Sequence, residues 1–180
     1  MNFRTFIAPN WLSHTDGIPL LLLRLYLTPV LLQAGWNKYL HFADTVVWFG
    51  DMEYGLGLPF PALLAALATG AEIGGSLLLL IGLFTRLAAL SLAVTMLVAM
   101  VTVHAKNGWL AIADASSWLA DGTILHSERI LAAPEKLERA RAILQEHGNY
   151  DWLTESGNLV VLNNGIEFAA TYFVMLLCLL

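Results

Sequence analysis

Charge is what this sequence has least of, and that shortage excludes more than any motif it contains. Aspartate, glutamate, lysine and arginine make up 13% of 180 residues, about half the share a soluble domain carries. Nine basic residues face fourteen acidic ones, a formal charge of −5. No basic cluster is available to follow a phosphate backbone, so nucleic acid is set aside as a partner. A single cysteine, Cys178, excludes an intrachain disulfide and a CxxC redox pair. The sequence also lacks a Gly-rich phosphate loop, an HExxH zinc motif and a serine-nucleophile elbow.

What is present is hydrocarbon. Hydrophobic residues make up 58% of the chain, and the mean hydropathy is +0.67. Four segments have membrane character, at about 18–40, 60–84, 87–105 and 165–180. A helix needs roughly 20 apolar residues to cross about 30 Å of hydrocarbon, and the first three segments meet that length. The fourth provides only about 24 Å at 1.5 Å per residue, so the reading expects the natural chain to continue past Leu180. The first 17 residues are mixed and polar and no small-residue cleavage site follows, so the first span is expected to stay in the mature protein.

Gly82 to Arg86 is a tight connection, which makes spans two and three a helical hairpin. A polar insertion, 106–164, separates spans three and four. Pro134 and Glu135 open a soluble helix there, and Gly148 closes it just beyond His147. Trp109, Leu110, Ile112, Trp118 and Leu119 predict a segment lying in the membrane interface. The fold class is therefore all-α: a single integral membrane domain, a four-helix bundle with an extra-membrane helical insertion between spans three and four. Arg4 and Arg86 mark the terminal side, and Lys38 and Lys106 the other. The long acidic insertion favours cytoplasmic termini, with the insertion on the opposite side of the membrane.

Five ionisable groups sit within or at the ends of these spans: Arg24, Lys38, Glu72, His104 and Glu167. Glu72 lies in mid-span, and an unpaired carboxylate at such depth costs several kcal/mol, so it is a functional-site candidate. Arg24 and Lys38, fourteen residues apart, return to nearly the same helix face, with Thr28 and Gly35 on the stripe between them. Span two carries a matching seam of Ala65, Ala68, Glu72, Gly75 and Ser76, and Gly70-xxx-Gly74 makes a second small-residue face. Arg24 has the reach to meet Glu72 across the seam. Depth counting places Lys38, His104 and Glu167 together at the opposite membrane face.

Each of these has a structural reading beside the functional one. An Arg–Glu pair can fix helix register, Lys38 can snorkel to the headgroups, and His104 can simply close a helix. Glu167 can complement the positive end of its helix, with Asn163 as the cap. Met96, Met100 and His104 recur every four residues, and thioether plus imidazole suits Cu(I). Methionine at helical spacing is more often packing, so no metal is assigned. His41 with His104 is the one candidate pair for bis-histidine haem.

Several blocks resemble the DoxX family. Gly35-Trp-Asn-Lys38 is similar to that family's G-x-x-K at the end of span one. The run from Ala71-Glu72-Ile-Gly-Gly-Ser through Thr85-Arg86-Leu-Ala-Ala resembles its central E-x-x-G signature ending G-x-x-T-R. Val103-His104, Asn107-Gly108 and then Gly165-Ile-Glu167 continue the order. The insertion is longer than the family's usual connection. The resemblance implies a four-helix bacterial membrane protein, with relatives among the subunits of thiosulfate:quinone oxidoreductase, membrane redox-stress complexes and presumed maturation factors for copper-binding modified peptides. Its matching positions are Arg24, Lys38, Glu72, Arg86, His104 and Glu167.

Two functions follow as expectations. One is a membrane subunit of a quinone-linked oxidoreductase system. Glu72, His104 and Glu167 would be its catalytic proton donors and acceptors, and Arg24, Lys38, Trp36 and Tyr39 would hold the quinone, with Trp36, Tyr39 and Trp109 placed to flank the ring. Its electrons would come from a protein partner carrying redox groups. The other is a non-catalytic membrane partner that assembles or matures a client, such as a copper-binding modified peptide, through its insertion. Membrane lipid is a partner in both.

Overall fold

The long apolar runs are helical because a segment crossing hydrocarbon must satisfy its own backbone hydrogen bonds. The computed structural model describes residues 17–120 and 127–180; Arg4, a topology marker, lies outside them. Helix α1 is Gly17–Leu40. A short helix α2, Phe42–Gly50, follows after a single turn residue, His41. Helix α3, Pro61–Ile81, opens with proline in its first turn, where a missing N–H costs nothing. It ends at Gly82, whose φ of 76° is left-handed and natural to glycine. Helix α4, Thr85–Ala99, runs on through a wider π turn, Met100–His104, and a 3₁₀ turn, Ala105–Asn107.

Among the described residues, three stretches are long and apolar enough to cross a membrane: Gly17–Leu40, Pro61–Ile81 and Thr85–Asn107. The last apolar helix, Glu167–Leu177, called α8 here, has eleven residues, about 16 Å. It falls short of the sixteen-residue fourth span read from hydropathy, because residues 165 and 166 are held by backbone bonds outside the helix. The chain is an all-α membrane protein. Among the described residues its one β feature is an isolated antiparallel bridge between Ile112 and Leu162.

The chain divides into two compact units, one within Met1–Leu97 and Tyr172–Leu180, the other within Val98–Thr171. The first has an apolar core of Leu27 and Leu31 from α1, Leu79 from α3, Ala88, Ala89, Leu92, Ala93 and Met96 from α4, and Leu176 with Leu179 from the C-terminal end. Lipid is as apolar as leucine, so this core is held by close packing and not by release of water. Small residues make that approach possible. A Cβ on Gly75 would stand 2.9 Å from Leu92, and one on Gly35 would stand 2.8 Å from Glu72 Cβ and 3.0 Å from the Ile73 amide nitrogen.

Among its described residues the second unit contains three further helices: α5 (Glu128–Leu131), α6 (Ala133–His147) and α7 (Tyr150–Thr154). Helix α6 begins and ends where Pro134 and Gly148 predict. Leu110, Ala120 and Ile130 form this unit's core, with Trp109, Ala113 and Leu119 packed on it. Only part of the tryptophan-rich segment therefore stays on the surface, Trp118 most of all. Backbone bonds stitch residues 108–113 to 161–167, among them Ala113 N–H to Val161 O and Glu167 N–H to Trp109 O.

Candidate functional site

Helix α3 buries one face, Ala65, Thr69, Glu72, Gly75, Ser76 and Leu79, and Glu72 is the charge on it. Lys38, in the last turn of α1, donates to both carboxylate oxygens, at 2.9 Å to Oε1 and 2.7 Å to Oε2. The Glu72 side chain is 2% exposed and that of Lys38 is 26%. The pair is thus sealed at the carboxylate end and open at the ammonium end. Gly35 stands one turn before Lys38, and its lack of a side chain lets α1 come close enough for the four-carbon lysine stem to reach.

The two seams read from sequence do face each other, but their register differs from the expected one. Arg24 does not meet Glu72. Its Nε donates to Leu79 O at 2.8 Å and its Nη2 to Leu80 O at 3.4 Å. The helices run antiparallel, so Arg24 comes level with the end of α3, and Glu72 comes level with Gly35. Arg24 finds there the carbonyls of the helix's negative end, of which Leu79 O also accepts the Gly82 N–H. Its guanidinium also fills the space that a side chain at Gly82 would need. Between these contacts, Thr28 Oγ1 donates to Arg24 O at 2.8 Å and approaches Ser76 O at 3.4 Å.

His104 and Glu167 belong to the second unit, where each is bonded to main chain. His104 Nδ1 is 2.9 Å from Asn164 O. A carbonyl can only accept, so Nδ1 carries the proton and Nε2 keeps its lone pair whenever the ring is neutral. Asn164 sits at φ 59°, a conformation asparagine tolerates, and its carbonyl also accepts from Asn107 Nδ2 at 3.0 Å. Glu167 Oε2 accepts the Ala111 N–H at 2.9 Å. Asn163 is not the cap of α8. Its buried amide donates to Asn107 O at 2.6 Å and Leu110 O at 2.7 Å, because α8 begins four residues later, at Glu167. Arg129, unremarked in the sequence, donates to Asn107 Oδ1 at 2.6 Å.

The aromatic candidates lie beside the ion pair in sequence but point outward. Trp36 and Tyr39 pack on each other with ring centroids 5.4 Å apart, and both are exposed. Trp109 packs on the core of the second unit. Met96 belongs to the apolar core with Leu92 and Leu176. Met100 and His104 lie in the π turn, which breaks the four-residue repeat that put all three on one face. Among the described residues no three His, Cys, Asp or Glu side chains gather as a metal site. Sequence reasoning overlooked Thr69, a buried hydroxyl one turn before Glu72, and helix α2. The apolar run Val46-Val-Trp-Phe49 was the available signal for the helix.

Residues 19–105 match the DoxX family model. An uncharacterized protein of Haemophilus influenzae is 31% identical over 98 residues, which cover 52% of this chain and 62% of that relative. The chain therefore spans less than two thirds of that relative's length. No solved structure matches. The match includes α1, α3 and α4, and with them Gly35, Lys38 and Glu72, the residues that build the buried ion pair. Residues 19–105 of this chain are thus similar to the DoxX family.

Proposed function

We propose that the protein is the membrane subunit of a quinone-linked oxidoreductase system in a bacterial inner membrane, with Lys38 and Glu72 as its polar intramembrane site. The observation that carries this reading is the ion pair itself. A carboxylate with 2% of its side chain exposed is costly to keep in an apolar helix pair, and packed hydrophobic residues would often hold the helices equally well. Quinone reduction consumes two electrons and two protons. Glu72 would exchange protons, Lys38 would hold the carboxylate and offer its own proton at the open end, and a partner carrying redox groups would deliver the electrons. Trp36 and Tyr39, neighbours of Lys38 at the C-terminal end of α1, would contact the quinone ring. In the second unit, His104 Nε2 is a further base, and Glu167 positions the segment around Ala111.

The test removes the charge and keeps the packing. Lys38→Met with Glu72→Leu is expected to fold and to assemble with its partner, but to lose quinone-dependent turnover. Wild-type protein extracted with native lipid is expected to carry ubiquinone or menaquinone. Full turnover by the uncharged variant would end this reading. The compact second unit, with Trp118 and Trp152 exposed on it, supports the alternative of a docking partner that matures a client. That alternative gains if substitution of Trp118 and Trp152 abolishes function while the uncharged variant remains active.

A further inference from the structure

We propose that helix α2 and the turn after it form a wedge that lies in one membrane interface, among the headgroups and upper acyl chains of lipid without net charge. This goes beyond the quinone reading and does not depend on it. The topology determines what covers the segment. Residues 41–60 join the end of one candidate span, Gly17–Leu40, to the start of the next, Pro61–Ile81, so both their ends are tied to a bilayer surface. Helix α2 has nine residues, about 14 Å, and cannot cross about 30 Å of hydrocarbon. It packs on α3 with Phe49 buried, and it leaves Val47 and Trp48 exposed.

The turn that follows holds apolar side chains outward on a bonded frame. The Asp51 carboxylate accepts the Glu53 and Tyr54 amides at 2.7 and 2.8 Å. Three backbone bonds then tie the turn back to α2 and its cap: Leu56 N–H to Trp48 O, Gly57 N–H to Asp51 O and Leu58 N–H to Phe49 O. On this frame Met52 is 91% and Tyr54 79% exposed, and Phe60 stands exposed at the entry to α3. Leaving such side chains in water forgoes the free energy of burying them. In the interface they gain it, and tryptophan and tyrosine are the residues that settle at headgroup depth. Charge narrows the kind of lipid. Interfacial helices commonly carry lysine and arginine to meet anionic headgroups. Residues 41–60 have neither, and they include Asp44, Asp51 and Glu53. An anionic surface repels these carboxylates, so the apolar side chains alone hold the wedge.

The experiment uses the full chain in phosphatidylcholine liposomes. With Cys178→Ser as background, a polarity-sensitive dye is attached at Met52→Cys, at Tyr54→Cys or, as the aqueous control, at Glu146→Cys, exposed on α6. The side chains of Met52 and Tyr54 make none of the turn's bonds, so the frame survives either substitution. Dye at positions 52 and 54 is expected to emit at shorter wavelength than dye at 146. Lipid brominated just below the headgroups should quench it more than lipid brominated at the chain ends, and aqueous iodide should quench only the control. Adding phosphatidylglycerol should leave the lipid quenching unchanged or reduce it. Iodide quenching at 52 and 54 as strong as at 146 would overturn the proposal. So would shielding that fades as lipid dilutes the protein, since a second copy would then be covering the turn. Deeper insertion on adding phosphatidylglycerol would also overturn it.

Discussion

In the α1–α3 pair, Lys38 and Glu72 meet each other, whereas in the second unit His104, Asn107, Asn163 and Glu167 all meet main-chain atoms. The difference follows from what each backbone leaves unsatisfied. Inside continuous helices the N–H and C=O groups are already paired, so a buried charge can be answered only by another side chain. Irregular backbone, such as residues 108–113 and 161–167, has amides and carbonyls to spare, and polar side chains are drawn into closing them. Arg24 shows the rule within the first unit. It lies at the end of α3, where the last carbonyls lack their full complement of helical partners, and it binds backbone. A polar residue left over for chemistry is therefore to be sought where the backbone makes no demand on it, which singles out the Lys38–Glu72 pair.

The largest effect should come from breaking that pair. Lys38→Met strands the Glu72 carboxylate on the buried face of α3 and is expected to cost about 3–5 kcal/mol, read as a lowered unfolding temperature in detergent. Lys38→Met with Glu72→Leu should recover most of that loss. If Lys38→Met unfolds like wild type, the pair is not a buried ion pair and the contrast between the two regions disappears.

Next in size is Gly35→Ala, which should cost about 1–3 kcal/mol by overpacking. Its methyl would press on Glu72, Ile73 and the Ile73 amide nitrogen, and backbone cannot step aside as a side chain can. Gly70→Ala, with open space around it, should leave the protomer as stable as wild type or more so. Equal losses at positions 35 and 70 would show that the helix pair is not set by this close approach.

Glu167→Ala sharpens the other side of the comparison. It leaves the Ala111 N–H without its charged acceptor and should cost about 1.5–3 kcal/mol, while Glu167→Gln, which keeps an acceptor oxygen, should lose less. Hydrogen exchange would read this as faster exchange at Ala111, with α3 protection unchanged. An equal loss at α3 would contradict the assignment of Glu167 to the second unit.

The smallest effect is one the two regions share. The Tyr54 and Glu53 amides hold the Asp51 carboxyl below the usual range, and the Ser116 hydroxyl and amide do the same for Asp114. A carboxylate with a lowered folded pKa stabilises its turn fully above the ordinary aspartate range, and that contribution is lost as pH falls through the lowered value. Protection of the Tyr54 and Ser116 amides, taken relative to the intrinsic exchange rate at each pH, should therefore fall on strong acidification, and Asp51→Ala or Asp114→Ala should abolish the dependence at its own turn alone. Both carboxyls are fully exposed, so overall unfolding should barely change.

Glu72 was legible as a site because no helix in lipid hides a carboxylate by accident. The inward seam Arg24–Thr28–Gly35–Lys38 was legible because fourteen residues return a helix to the same face. Arg24's partner was not. Depth counted along separate helices leaves their relative register free, and a shift of about four turns exchanges one cation for the other at Glu72. The open face of Gly70 and Gly74 looked like that of any small-residue stripe until the neighbours of each glycine were known. The expected roles of Asn163 and the Met96–Met100–His104 face both assumed unbroken helix periods. A later start for α8 undid the first, and a π turn undid the second.

Composition and periodicity by themselves determined that this chain is helical, that it belongs in a membrane and that Glu72 needs a partner there. Each of these follows from the free energy of a residue in hydrocarbon and does not depend on its neighbours. Tertiary structure alone decided that the partner is Lys38, that Arg24 binds the end of α3, and that His104 and Glu167 bind backbone. Those outcomes depend on how closely two helices approach at Gly35, and on which main-chain atoms an irregular loop leaves bare. Such distances are set between segments, and no single segment's sequence contains them.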